Sequence, residues 1–114
     1  MTIRLDIRDR TIGGTDRPLS TETTMIRRGE SEMFALPLGH VLPSGYTLES
    51  VTKSTKVGSG VEMQAVSVGA DDRSVDGQIA TTSATPSVYS LLAVQLVLSN
   101  GDVWEINVPV VLAE

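Results

Sequence analysis

One histidine and no cysteine limit the nucleophilic chemistry open to this chain. A nucleophile with its base requires Ser, Thr or Cys beside a His or Lys that a third group orients. His40 lies in the stretch PLGHVLPSG, and no pattern around it identifies such a set. The sequence therefore predicts a packed or solvated histidine at a loop or strand end. The alternative is a His–carboxylate pair in a cleft.

Three aspartates form the acidic cluster of the sequence. Asp72 opens the stretch DRSVDG, which sets oxygen ligands at the first, third and fifth positions of an EF-hand-like loop, with glycine at the sixth. Ser83 stands where the loop requires a bidentate glutamate. We therefore expect Asp71, Asp72 and Asp76 to lie in a solvated turn and not to bind Ca²⁺.

Two further motifs are typical of turns and surfaces. Gly58-Ser59-Gly60 lacks the lysine of a phosphate-binding loop and a following helix, so we expect a turn. The pair Arg27-Arg28 suits either a carboxylate-rich partner or a solvated strand end. The sequence thus predicts no catalytic residue, no metal site and no cofactor.

The balance of charge argues against a nucleic acid partner. Nine Lys and Arg residues stand against fourteen Asp and Glu, a net charge of −5, which repels a phosphate backbone. Through Arg28 the chain carries six arginines and four acidic residues, whereas the remainder carries three basic and ten acidic residues.

No stretch of the sequence is apolar over the length of a signal peptide core or a membrane span, so we expect a protein made in the cytoplasm.

Short alternating runs separated by turn residues predict β-strands from Gly29 onward. The runs are SEMFALPL at 31–38, GYTLESVTKST at 45–55, VEMQAVSV at 61–68 and QIATT at 78–82, with GADDRSVDG as a polar turn before the last. In VEMQAVSV the alternation places Val61, Met63 and Ala65 on one face. No window of comparable length has apolar residues at helical spacing, so we expect little or no helix.

The longest alternating stretch, LLAVQLVLSNGDVWEINVPVVL at 91–112, predicts a β-hairpin around Asn100-Gly101. A two-residue turn would oppose Leu96 with Glu105 and mix core with surface. A three-residue loop with Gly101 in the left-handed conformation instead opposes Leu96 with Trp104. We therefore predict a G1-bulge turn and one buried stripe: Leu92, Val94, Leu96, Trp104, Ile106, Val108 and Val110.

Six or seven short strands after Gly29 fit an all-β fold, an immunoglobulin-like antiparallel β-sandwich without the antibody disulfide. Trp104 is expected to be a core anchor, and its exposure together with Tyr46 would instead favour a binding surface. Pro109 has no N–H to donate, which indicates that the last strand is an edge or meets a bulge there.

Residues 1–28 differ from the sandwich domain predicted for residues 29–114. They are rich in Thr and Arg, contain Gly13-Gly14 and Pro18 as breakers, and offer few apolar residues. The alternating start TIRLDI predicts either the first strand of the chain's own sheet or an N-terminal arm that adds to a neighbour's sheet edge. In the second case, deletion of the arm leaves a folded body that no longer assembles. The assembly interface would then include Ile3, Arg4, Leu5, Ile7, Arg8 and Arg10.

Parts of the chain resemble small β-sandwich structural proteins of tailed-phage virions. IRRGESEMFALPL is similar to the strand opening of basic, Gly, acidic and Ser residues in such modules. PSGYTLESV and YSLLAVQLVLSNGDVWEINVPVVL are similar to the Gly-Tyr-Thr strand and terminal hairpin of phage immunoglobulin-like and fibre-adaptor proteins. The resemblance spans about residues 26–112 and departs from the pattern at Trp104 and in the connection GADDRSVDGQIATTSATP.

The resemblance implies a non-enzymatic virion structural protein, either a capsid decoration or cement protein or an adaptor at the neck, tail or fibre. It implies partners among other virion subunits, including further copies of the chain in a homo-oligomer or symmetric assembly, and no membrane. Its place would be the virion, after assembly in the host cytoplasm. A carbohydrate or host-surface binding module is a further alternative, which would require exposed aromatic side chains.

Overall fold

The computed structural model describes residues 2–7, 19–83 and 85–113. No described residue is helical, so none of these segments contains a helix that could cross a membrane. The described strands are β1 (Thr2–Arg4), β2 (Leu19–Ser20), β3 (Thr24–Arg27), β4 (Ser31–Pro37), β5 (Leu48–Val57), β6 (Val61–Val68), β7 (Ser74–Thr81), β8 (Tyr89–Leu98) and β9 (Val103–Ala113). The all-β prediction is confirmed.

The strands form two packed sheets. The four-stranded sheet has the order β1-β4-β7-β6, and the five-stranded sheet has the order β2-β9-β8-β5, with β3 also paired to β9. The inward side chains of both sheets make one core of aliphatic residues together with Phe34 and Trp104. This architecture is the predicted β-sandwich.

The sheets are mixed, which corrects the purely antiparallel expectation. Strands β4 to β9 pair antiparallel. In contrast, β1 runs parallel to β4, and β2 and β3 run parallel to β9. Alternation along a strand sets which face is buried but not the direction of its neighbour, so the sequence pattern did not distinguish these cases.

The N-terminal segment crosses from one sheet to the other. After β1, Ile7 makes an isolated antiparallel bridge with Thr21, and the Glu22 N–H donates to the Asp6 carbonyl at 3.2 Å. Leu5 and Ile7 are buried in the core, as are Leu19 and Ile26 farther along. Within the single chain this segment pairs with the chain's own sheets, and its pairing with a neighbour's sheet edge stays a prediction.

The C-terminal hairpin has the predicted register. Leu96 pairs with Trp104 and Gln95 with Glu105. Gly101 has a φ of +91°, and its N–H donates to the Leu98 carbonyl at 2.9 Å. Every residue of the predicted stripe is buried. The period of two and a single left-handed glycine were sufficient to fix this element.

The last strand, β9, is central and not an edge. It pairs with β8 on one side and with β2 and β3 on the other. Pro109 lies opposite Leu91 of β8. On its other side it falls between Asn107, paired with β2, and Val110, paired with β3. The missing N–H donor therefore lies in the interval that neither parallel partner covers.

Strand β6 departs from its predicted alternation at Ala65. Its register with β7 shifts after Gln64, and Ala65 has a φ of +53°. The extra residue leaves Ala65 exposed and brings Val66 and Val68 against the core. A bulge thus reverses the faces of the second half of the strand.

Strand β7 begins at Ser74, so the second half of the predicted turn GADDRSVDG is strand. Gly77, which favoured a turn in the sequence, pairs with Phe34 of β4. A Cβ atom at this glycine would lie 2.9 Å from the Phe34 ring. The glycine therefore makes room for an aromatic ring within the sheet and does not end the strand.

Candidate functional site

The residues that the sequence analysis considered for catalysis or ligand binding do not lie together in one site. His40 is exposed in the turn after β4. Gly58 and Gly60, with φ of +87° and +78°, make the predicted turn between β5 and β6. Arg27 is exposed at the end of β3, and Arg28 follows it in a turn. Within the described ranges, no group of three His, Asp or Glu side chains is placed to hold a metal ion.

The acidic turn is organised by its own backbone. The Asp71 carboxylate accepts the Arg73 N–H at 3.0 Å and the Ser74 hydroxyl at 2.8 Å. These two hydrogen bonds, the backbone one first, hold the pKa of Asp71 below its ordinary value. Asp72 lies in the turn as predicted, with a φ of +58°, but Asp76 is part of β7. The three aspartates therefore do not form an EF-hand-like loop.

Hydrogen bonds join the loops at this end of the sandwich. One Arg73 guanidinium nitrogen donates to the carbonyls of Gly39 and Leu42, at 3.1 and 3.3 Å. The Leu48 N–H donates to the Asp72 carbonyl at 2.8 Å, and the Ser99 N–H donates to the Thr47 carbonyl at 2.8 Å. Three connections thus support one another, which fits a structural end cap.

The N-terminal residues predicted to form an assembly interface have different environments. Arg4 is exposed and its Nε donates to Asp6 at 2.7 Å, while Ile3 is half-buried. Leu5 and Ile7 already fill the chain's own core. A neighbour can reach these two side chains only if the segment leaves its sheet. The remaining predicted interface residues, Arg8 and Arg10, lie outside the described residues.

An apolar surface lies on the outer face of the five-stranded sheet. Met25 pairs with Val111, and Val111 pairs with Tyr89, so one row of side chains crosses β3, β9 and β8. Met25 is 64% exposed and Tyr89 48% exposed, whereas Val111 is half-buried. The residues on either side of Val111 along β9 are buried, which places this row on the solvent side.

A second apolar row runs beside the first. Pro109 pairs with Leu91, and Leu91 pairs with Val57, which is 49% exposed. Together the two rows span four strands. We call them the outer apolar surface: Met25, Val57, Tyr89, Leu91, Pro109 and Val111.

Charged residues of both signs border this surface, and Glu30 and Glu32 line a groove together with Met25 and Arg27. Arg27 follows Met25 on β3, two residues along and on the same face. Lys56 precedes Val57 and pairs with Glu105 of β9 in an ion pair across the sheet. Glu105 is thereby matched with a cation, and Arg27 borders the opposite corner of the surface.

The outer face of the four-stranded sheet has a different character. Thr2 pairs with Met33, Met33 with Gln78 and Gln78 with Gln64, so the corresponding row is polar apart from one methionine. The next row includes Arg4, Ala35, Asp76 and Ser67. The apolar character is therefore confined to one of the two outer faces described here.

The two aromatic side chains whose joint exposure would favour a binding surface, Trp104 and Tyr46, are not exposed together. Trp104 is 4% exposed, as expected of a core anchor, and Tyr46 is half-buried against the core. Tyr89 is the exposed aromatic that sequence reasoning passed over. Tyr89 and Leu91 lie at the solvent-facing positions of an alternating strand, and this alternation is the sequence feature that could have predicted their exposure.

No family model and no curated protein matches the chain.

Proposed function

We propose that this chain is a non-enzymatic structural module of a tailed-phage virion, and that it acts as a capsid decoration or cement protein. The outer apolar surface carries this proposal. Contiguous exposed apolar patches on a folded domain mark interaction sites, of which a protein–protein contact is one kind. Surface-to-surface attachment is what a decoration protein requires.

The surface has chemistry suited to attachment. Met25, Val57 and Tyr89 each expose about half of their area or more. Removing that area from water would contribute about 1 kcal/mol for each side chain. Because these residues belong to paired strands, their backbone positions are fixed before binding, and only the ordering of their side chains opposes the contact.

The finer fold assignment is also a proposal, that of an immunoglobulin-like domain. Such domains have sheets of strand order ABED and CFG. The orders β1-β4-β7-β6 and β5-β8-β9 correspond to these when β1 is strand A and β9 is strand G. The parallel pairing of β1 departs from that scheme.

A neck, tail or fibre adaptor is the nearest alternative, because it would use the same kind of surface. Copy number separates the two roles. We would quantify the chain by mass spectrometry in purified phage particles from the source lysate. A number comparable with the major shell protein supports decoration, and a small ring-like number supports an adaptor. Absence from the particles would overturn the virion proposal.

The two exposed methionines on opposite faces provide a matched test of the surface itself. Met25→Glu places a charge in the outer apolar surface, whereas Met33→Glu makes the same change on the other face at 56% exposure. We expect Met25→Glu to lower the occupancy of the chain on particles about tenfold, the loss of roughly 1.4 kcal/mol. Met33→Glu should leave occupancy unchanged, with equal melting temperatures for both variants. Equal occupancy of the two variants would refute this use of the surface.

A further inference from the structure

We infer that residues 2–7 exchange between copies of this chain, so that the first strand of one copy completes the four-stranded sheet of another. The site they fill is complementary to them by construction, because it already holds the same sequence. Leu5 and Ile7 supply buried side chains, while Arg4 and Asp6 stay exposed on the same short segment. An identical segment from a neighbour would make the same contacts.

The segment is attached to its own sheet by few interactions. β1 is three residues long, lies at a sheet edge and pairs in parallel with β4. Beyond it, the Leu5 N–H donates to the Ala35 carbonyl at 2.8 Å, the Glu22 N–H donates to the Asp6 carbonyl at 3.2 Å, and Ile7 bridges Thr21. Short parallel edge pairings belong to the least stable parts of a sheet, which open far more often than the whole domain unfolds.

One flank of the segment faces an open groove. Ile3 to Asp6 on one side and Glu22 to Met25 on the other enclose about 260 Å³ between the two sheet edges. Release of the segment does not require another described strand to move first.

The length of chain that follows is sufficient to reach a neighbour. Residues 8–18 separate Ile7 from Leu19, and a chain of that length spans at most ~40 Å. The long axis of the molecule is 43 Å and the other two are 28 and 19 Å. A segment anchored at Leu19 can therefore reach the sheet edge of an adjacent copy.

Concentration decides between the two pairings, because their contacts are the same. A short tether holds its own segment at an effective concentration of about millimolar, so neighbouring copies compete once their local concentration is similar. A dense array of copies meets this condition. The inference thus extends the proposed function, but its test uses the isolated protein and can fail while the virion assignment stands.

Engineered cysteines test the exchange directly, since the natural chain has none. Thr2 and Met33 are paired across β1 and β4, and both side chains are exposed. Paired strand residues lie within disulfide distance. The double variant Thr2→Cys, Met33→Cys is equilibrated under reducing conditions at increasing concentration, diluted, oxidised at once with diamide and run on a non-reducing gel. Exchange predicts that covalent dimers increase about tenfold between about 10 µM and about 1 mM protein.

The control keeps one cysteine and changes its partner. Met33→Cys, Gln78→Cys joins β4 to β7, a pair that does not exchange, and should give only an intrachain disulfide. The single variants Thr2→Cys and Met33→Cys measure random collisions. Monomeric products from the Thr2→Cys, Met33→Cys variant at every concentration would overturn the inference. Dimers formed equally by the Gln78→Cys control would also overturn it.

Discussion

Ser90 is fully buried on β8, and its hydroxyl has no hydrogen-bond partner among the described residues. A buried hydroxyl that has lost water without gaining a partner is unfavourable. We therefore expect Ser90→Ala to raise the free energy of unfolding by about 1 kcal/mol. Urea denaturation measures the change.

Ser87 provides the matched control, because its hydroxyl accepts the Ser59 N–H at 3.0 Å. Ser87→Ala removes a hydrogen bond that is made, so it should lower the free energy of unfolding by about 0.5–1 kcal/mol. Stabilisation by both variants, or by neither, would show that the unpartnered hydroxyl is not the cause.

The contribution of Asp71 to the free energy of unfolding changes with pH in the acidic range. Its pKa is held low by the Arg73 N–H first and by the Ser74 hydroxyl second. A carboxyl group with a depressed folded pKa stabilises the fold above its unfolded pKa, and this contribution is lost as pH falls through the folded pKa. Ser74→Ala should shift the pKa of Asp71 upward, toward its ordinary value, in an NMR titration. An unchanged pKa would show that the hydroxyl contributes nothing.

At the scale of single elements, the β4–β7 pair requires a glycine at position 77, because a side chain there would meet the Phe34 ring. A Cβ at Gly77 would lie 2.9 Å from the Phe34 ring and 3.1 Å from Val66. Gly77→Ala should therefore destabilise the protein by about 1–3 kcal/mol through overpacking. Phe34→Leu in the same chain should recover part of this loss, and a double-mutant cycle from thermal or urea unfolding measures the coupling. Strict additivity would show that the ring is not what the new methyl group meets.

An alanine at Gly101 would introduce backbone strain without a packing clash, so this position tests the strain alone. It has a φ of +91°, and nothing lies within 4 Å of an added Cβ. Gly101→Ala should cost about 1 kcal/mol, the penalty of a left-handed conformation, with the strand register intact. Retained cross-strand NOEs between Leu96 and Trp104 would confirm the register. Their loss would mean that the glycine sets the register as well as the turn.

At the scale of the whole molecule, the N-terminal segment is part of the sandwich. Leu5, Leu19 and Ile26 are each buried, and truncation of one such side chain to alanine costs about 2–5 kcal/mol. A small domain has only about 5–15 kcal/mol of stability in total. Deletion of residues 1–28 should therefore yield an unfolded or aggregated product, which is the opposite of what a separable arm implies. Circular dichroism and a urea titration of residues 29–114 measure this, with Leu5→Ala as the milder control.

The sequence predicted the antiparallel part of the fold well because its signals are local. Alternation over 91–112 placed the core stripe on one face and indicated the hairpin register, with Gly101 marking the position of the left-handed turn residue. The runs at 31–38 and 61–68 likewise became β4 and β6. Where a single residue interrupts the period, as Ala65 does, the following residues change face and the pattern no longer predicts burial.

The sequence by itself determined an all-β chain, its C-terminal hairpin and the part of the core that this hairpin supplies. Only the tertiary structure decided that the N-terminal strands pair in parallel with β4 and β9, because alternation contains no information about the direction of a distant partner. The outer apolar surface also required the fold. Met25, Val57 and Tyr89 are far apart in the chain, and strand pairing alone makes them neighbours.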